Sequence, residues 1–421
     1  MANTMSTSWK TRLKMLGPGL LFAGAAVGVS HLVQSTRAGA EYGLGLLWVV
    51  FFIHLFKYPF FEFGPRYASS TGESLLRGYN KLGKWTMYVF VLVTLGSMFT
   101  VQAAVTIVTA GLAIGIFGLT SKTIIWVGII LALCLLLLSR GQYSLLDNAM
   151  KIIILVLTIS TIFAVIFAIG RGNTAIEFTP SFPVEAAGIT FLIALMGWMP
   201  APIDLSVWHS LWAIEKQKAT EEDFNLKSSL LDFRVGYLGT IILAFCFLLL
   251  GALVMFGSGE TFSSSGGKFA GQLIDLYTSS LGQWATPIIA IAAFTTMFST
   301  TLTCLDALPR TMAEATYVLQ HGHEHNDSDK LKRLYWIWMG ILVVGTLLIL
   351  GFLVSSMKVM VTIATVLSFL TAPFFAIMNF KLVTSEHTPE NARPGNYLRL
   401  LSYAGIVFLI SFSIWYIWSM V

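Results

Sequence analysis

Charge is scarce in this sequence: Asp, Glu, Lys and Arg make up 11% of the 421 residues, while 56% are hydrophobic. With a mean hydropathy of +0.77, this excludes a soluble globular chain, in which about a quarter of the residues carry charge. Lipid offers the backbone no hydrogen-bond partner, so spans must be helices or a closed barrel, and the apolar runs here are too long for barrel strands. The fold class expected is an all-α integral membrane protein. Cysteine is also rare. Cys134, Cys246 and Cys304 each lie in an apolar run without metal-type spacing, which marks them as packing residues rather than ligands or a disulfide framework. The opening "MANTMSTSWK" has neither an apolar core nor a small-residue cleavage site, so no removable signal peptide is expected. The formal charge of +5 comes from lysines and arginines divided among short loops, and no nucleic-acid partner is expected. No nucleophile-and-base pairing or phosphate loop stands out, so the chain reads as neither an enzyme nor a cofactor protein. Whether an ion is carried, and whether a proton or sodium drives transport, are left open, as is the oligomeric state.

Hydrophobic length is what the chain has. Eleven spans are expected, at 15–40, 44–68, 85–117, 122–139, 149–171, 187–212, 230–257, 281–304, 334–354, 357–380 and 398–420, within one membrane domain covering 1–421. If the N-terminus is cytoplasmic, the inner segments hold all but six of the 26 lysines and arginines, the exceptions being Arg37, Lys57, Lys122, Arg171, Lys268 and Lys358. That asymmetry places the N-terminus inside and, with an odd number of spans, the C-terminus outside a plasma (inner) membrane. The longest polar stretch contains "LQHGHEHNDSDKLKR". Its three histidines, His321, His323 and His325, read either as a metal-binding tract or as a solvated cytoplasmic loop.

Two spans are interrupted. The sixth reads "LMGWMPAPIDLSVWHS", with two prolines, a glycine and a carboxylate, and the first has Gly24, Gly28, Ser30 and a polar His31 at its centre. Broken helices at matching places, five spans apart, point to inverted repeats with a central binding site. The repeats expected are 15–171 and 187–380, with 398–420 additional. Unwound turns expose carbonyls and amides at bilayer depth, where they are tolerated if they line a cavity or coordinate a ligand. The alternative is a proline kink that binds nothing.

Ionisable side chains in the membrane cost at least about 2.5 kcal/mol on insertion scales, so His31, His54, Lys57, Glu62, Asp204, His209 and Asp306 each need a reason. Asp204 is the only acid in the sixth span, a candidate ligand or an N-cap for "LSVWHSLW". His31 is a candidate metal ligand, a proton carrier, or a packed histidine. His209 lies five residues past Asp204, toward the inner vestibule. Lys57 and Glu62 pair poorly at five apart unless Pro59 bends the chain. Lys57 therefore reaches another helix, where beside an aspartate it replaces a coupling ion, or else it snorkels to the interface. Arg37 and Glu41 form a simple i, i+4 pair. Met196, Trp198 and Met199 either line a pocket or pack.

The stretches "GPGLLF…STRAGAEYGLGLLWVVFF" and "VLSFLTAPFFAIMN" resemble the Nramp (natural resistance-associated macrophage protein) family of proton-coupled divalent metal transporters. The resemblance implies the leucine-transporter fold, ten helices in two inverted five-helix repeats, here with an eleventh. It also marks departures. The family's Asp-Pro-Gly-Asn metal motif falls on Gly28, Val29, Ser30 and His31, which contain no acid. Its Met-Pro-His falls on Met199, Pro200 and Ala201, or on Pro202 with both ligands lost. No acid stands in the third span, where Gln102 lies near the expected place, and Leu370 or Thr371 replaces a tenth-helix glutamine. The function expected is a secondary transporter working by alternating access, with a cation held by Asp204, His31 and Met199 and by the surroundings of Gly28, Ser30, Trp198 and Ala201. His31, Lys57, Glu62 and His209 are the coupling candidates. Two alternatives stand: an organic-solute carrier of the same fold, and a non-transporting membrane sensor.

Overall fold

The computed structural model describes residues 17–141, 143–170, 179–219, 225–322, 327–354 and 356–420. Among the described residues there are helices and no strand: α1 (Pro18–Ala26), α2 (Thr36–Tyr42), α3 (Leu47–Thr71), α4 (Leu75–Leu82), α5 (Lys84–Phe117), α6 (Thr123–Ser139), α7 (Tyr143–Gly170), α8 (Ala186–Trp198), α9 (Leu205–Ala219), α10 (Leu226–Val254), α11 (Gly266–Leu281), α12 (Thr286–His321), α13 (Ser328–Leu348), α14 (Met357–Thr384) and α15 (Asn396–Ser419). Counting Pro18–Tyr42 as one, eight are long and apolar enough to cross a bilayer, and three shorter apolar helices lie at Thr123–Ser139, Leu155–Gly170 and Ala186–Trp198. Each falls on one of the eleven expected spans.

Three features differ from the hydropathy reading. The sixth span is two helices, α8 and α9, because Pro200 and Pro202 supply no amide to continue the ladder. The eighth does not stop at residue 304. It continues to His321, where the charges that lower the hydropathy are satisfied within the helix: Arg310 pairs with Asp306 one turn back at 2.8 Å. The short helices α4 and α11 escape a hydropathy scan because only one face of each is apolar, for example Leu75, Leu76 and Tyr79 in α4.

The interrupted first helix lies along α10 at backbone contact. A Cβ on Gly39 would sit 1.9 Å from the Leu248 carbonyl oxygen, and one on Gly251 would sit 2.1 Å from that of Thr36. Only hydrogen fits at either place, the small-residue packing that lets membrane helices approach closely. At the N-terminal end, the Asp232 carboxylate on α10 accepts the amides of Gly17 at 3.0 Å and Gly19 at 2.6 Å, capping α1 from outside its own chain segment. On the other side of the bundle α8 packs on α14, α9 on α3, and α5 on α12. Buried Asn379 of α14 ties these layers: its amide donates to the Phe60 carbonyl at 2.9 Å and to Ser206 Oγ at 2.8 Å, and its oxygen accepts from the Tyr79 hydroxyl.

Candidate transport site

Small residues weaken the first helix and prolines stop the sixth. Helix α1 ends at Ala26, and Val27 (φ −78°, ψ 82°) and Gly28 (φ −147°, ψ −124°) leave helical geometry before a π-helix, Val29–Ser35, runs on into α2. In the sixth, α8 ends at Trp198, the Met199–Pro200 peptide is cis, and α9 begins at Leu205. The two breaks enclose a cavity with about 370 Å³ of empty space. The first helix contributes Ala25, Ala26, Val29 and Ser30 to its wall. The sixth contributes Trp198, Ala201, Pro202, Leu205 and Trp208, α5 contributes Val101 and Val105, and α12 contributes Thr300 and Cys304. The wall is mainly apolar, and none of these residues carries a charge. Among the described residues no three His, Cys, Asp or Glu side chains are grouped as metal ligands.

Ser30, Trp198 and Ala201 are thus brought together at the cavity, with Gly28 beside it against Thr300. Trp198 is oriented by its Nε1, which donates to Ser368 Oγ at 2.8 Å. His31 is not in the wall. Its ring is fully buried and turned to α10, with Nε2 3.0 Å from the Thr240 carbonyl oxygen and Nδ1 2.7 Å from Ser30 Oγ. Met199 is buried outside the lining.

Lys57 occupies the sixth-helix break. Fully buried, its ammonium donates to the carbonyls of Met196 at 2.6 Å, Gly197 at 2.8 Å and Ala201 at 3.1 Å. All three of its donors are used, and the positive charge sits at the negative end of α8. Asp204 lies within electrostatic reach of it, buried, with Oδ1 unpartnered. Glu62 belongs elsewhere: it pairs with Arg66, lies 3.7 Å from Arg234, and accepts the Tyr58 hydroxyl.

His209 is fully buried with both ring nitrogens unpartnered, stacked on Phe22 at 5.6 Å. His54 Nδ1 lies 2.6 Å from the Val50 carbonyl oxygen, and Asp306 is held by Arg310 and the Tyr335 hydroxyl. Gln102 points its amide at Thr106 Oγ1 and the Thr301 carbonyl. Of the histidine tract, His321 stacks on Tyr317 at 4.5 Å, while His323, Glu324 and His325 lie outside the described residues. The wall residues of α5 and α12 were not singled out from sequence. The run "TTMFSTTLTC" was the available signal, since seven of its ten residues carry a hydroxyl or thiol within an otherwise apolar helix.

An uncharacterized protein of Pasteurella multocida (strain Pm70) is 36% identical over 416 residues, covering 98% of this chain and 93% of its own. Among solved structures, a mutant of the Eremococcus coleocola manganese transporter superposes with a TM-score of 0.67 at 14% identity, covering 98% of this chain and 88% of that one. MhsT in complex with L-phenylalanine gives 0.64 at 14%, covering 94% and 98%. These likenesses establish the leucine-transporter-type fold: two inverted five-helix repeats and an eleventh helix, with the first and sixth helices interrupted. The model of the natural resistance-associated macrophage protein-like family matches residues 19–419. A membrane transporter is what fold and family together indicate, and the chain belongs to the Nramp family.

Proposed function

We propose that this protein is a secondary transporter that works by alternating access around the cavity between its interrupted first and sixth helices, and that its cargo is a small organic solute bearing a carboxylate. The observation that carries the cargo is Lys57. Carbonyls freed by the sixth-helix break are the groups that would take a cation, and here the protein's own ammonium takes them. The cavity beside it offers apolar walls, two tryptophans, and the hydroxyls of Ser30 and Thr300. Val29 and Leu205, at the starts of the two outgoing half-helices, bring positive dipole ends to the same space, which favours an anionic head group. A pocket of this size and polarity suits an organic molecule, with the polar groups fixing its orientation. The N-terminus is placed in the cytoplasm and the C-terminus outside, on the charge asymmetry of the loops.

A second reading, transport of a divalent cation, is favoured by the unpartnered Oδ1 of Asp204 and by the manganese transporter among the structural relatives. Binding separates the two. The purified protein is titrated calorimetrically with manganese, magnesium and calcium, and with a panel of amino acids and small carboxylic acids. Saturable heat from a carboxylate, with none from the metals, supports the organic cargo. Saturable heat from manganese that is lost in Asp204→Ala overturns it in favour of the cation.

A further inference from the structure

The first-helix break faces a second polar surface. On α12, Thr296, Ser299 and Thr300 fall at i, i+3 and i+4, on one side of the helix. All three are buried, and the hydroxyls of Thr296 and Ser299 have no hydrogen-bond partner. Unpaired hydroxyls away from water are costly, and two within one turn call for a ligand. Thr300 lies against the break itself, since a Cβ placed on Gly28 would sit 2.7 Å from its Oγ1.

Carbonyl oxygens complete the surroundings. The Gly28 amide turns to the Ala26 carbonyl, so the Gly24 carbonyl loses its helical partner at the negative end of α1. Residues 18–30 and 286–305 contain no ionisable Asp, Glu, Lys, Arg or His, and the nearby His31 ring is turned to Thr240. Neutral hydroxyl and carbonyl oxygens are the ligands of a hard cation. A divalent ion ordinarily takes carboxylates as well, which this place lacks, so the charge matched is a single one.

We propose that the first-helix break and the Thr296, Ser299 and Thr300 face of α12 form a binding site for a monovalent alkali cation, the coupling ion of transport. Thr300 also lines the cargo cavity, so an ion that orders this hydroxyl orders part of the cargo wall, and ion and cargo favour each other's binding. The site goes beyond the cargo reading and does not depend on it.

The test uses the full-length purified protein without cargo. Thermal unfolding is followed while sodium chloride replaces choline chloride at constant ionic strength, with a parallel potassium series. The expected result is a saturable rise in Tm with sodium or potassium. In Ser299→Ala and in Thr300→Val the midpoint should move to at least about tenfold higher ion concentration, while Thr300→Ser keeps the wild-type midpoint. Ser299→Ala carries the comparison by itself if Thr300→Val elutes as an aggregate. No saturable response in folded wild type, or midpoints unchanged in the folded variants, overturns the proposal. Because no cargo is present, failure here leaves the organic-solute reading standing, and failure of that reading leaves this result legible.

Discussion

Replacing Lys57 with methionine removes the ammonium while keeping an unbranched side chain of similar length. Three carbonyls, of Met196, Gly197 and Ala201, then lose their only recorded side-chain donor. A buried acceptor left unpaired costs about 1–3 kcal/mol, so the three together cost roughly 3–9 kcal/mol. The several kcal/mol that burying an ammonium demands is relieved at the same time. The net expectation is a destabilisation of a few kcal/mol, concentrated at the sixth-helix break. The more telling consequence concerns ligands. The freed carbonyls, with the Asp204 carboxylate now lacking its counter-charge, become a place for an external cation. An ion at 100 times its Kd stabilises a protein by about 2.7 kcal/mol. Thermal unfolding in rising manganese chloride should therefore leave wild type unmoved and raise the Tm of Lys57→Met along a saturable curve. If manganese stabilises wild type as much as the variant, the ammonium does not stand in for a cation and the reasoning from Lys57 is refuted.

Other outcomes follow from the same geometry. Asp204→Ala should stay monodisperse yet lose cargo flux in proteoliposomes, because it strips the buried Lys57 of its nearby counter-charge; wild-type flux would remove Asp204 from the site. Gly39→Leu forces apart α2 and α10, where even a Cβ meets the Leu248 carbonyl, and should lower stability by more than the roughly 1–3 kcal/mol of ordinary overpacking, read as loss of folded protein after mild heating. Trp198→Phe loses the bond to Ser368 Oγ and should weaken cargo binding modestly, by about 1 kcal/mol, in a calorimetric titration. Outside the membrane, Asp327 caps α13. The Lys330 amide, then the Asp329 amide and the Lys330 charge, hold its carboxyl below the usual carboxylate range. Its contribution is thus present above that range and fades as pH falls through the depressed value, so Asp327→Ala should differ from wild type in helix content at neutral pH and converge with it in strong acid.

Much of the fold was legible because hydropathy and proline are one-dimensional signals. Eleven apolar runs and two prolines at the sixth-helix centre locate the spans and the break without knowledge of what lies opposite. The site was less legible, because its character is decided by which way side chains point across helices. His31 and Ser30 are adjacent in sequence, yet one turns to α10 and the other to the cavity. Lys57 could be read as reaching another helix, but three carbonyls converging on it are backbone groups, which carry no sequence signature. Thr300 and Cys304 looked like ordinary residues of an apolar helix until the first-helix break was seen against them. Hydroxyls satisfy themselves on their own helix in most positions, as Thr311 does on the Ala307 carbonyl, so an orphan pair such as Thr296 and Ser299 shows only in three dimensions.

Flux tests the central claim most directly. Purified protein in proteoliposomes, with an inward sodium gradient, is presented with radiolabelled manganese and, separately, with a panel of labelled amino acids and small carboxylic acids. The account predicts saturable accumulation of at least one carboxylate above protein-free liposomes and none of manganese. Saturable manganese accumulation that Asp204→Ala abolishes, with every carboxylate excluded, would contradict it.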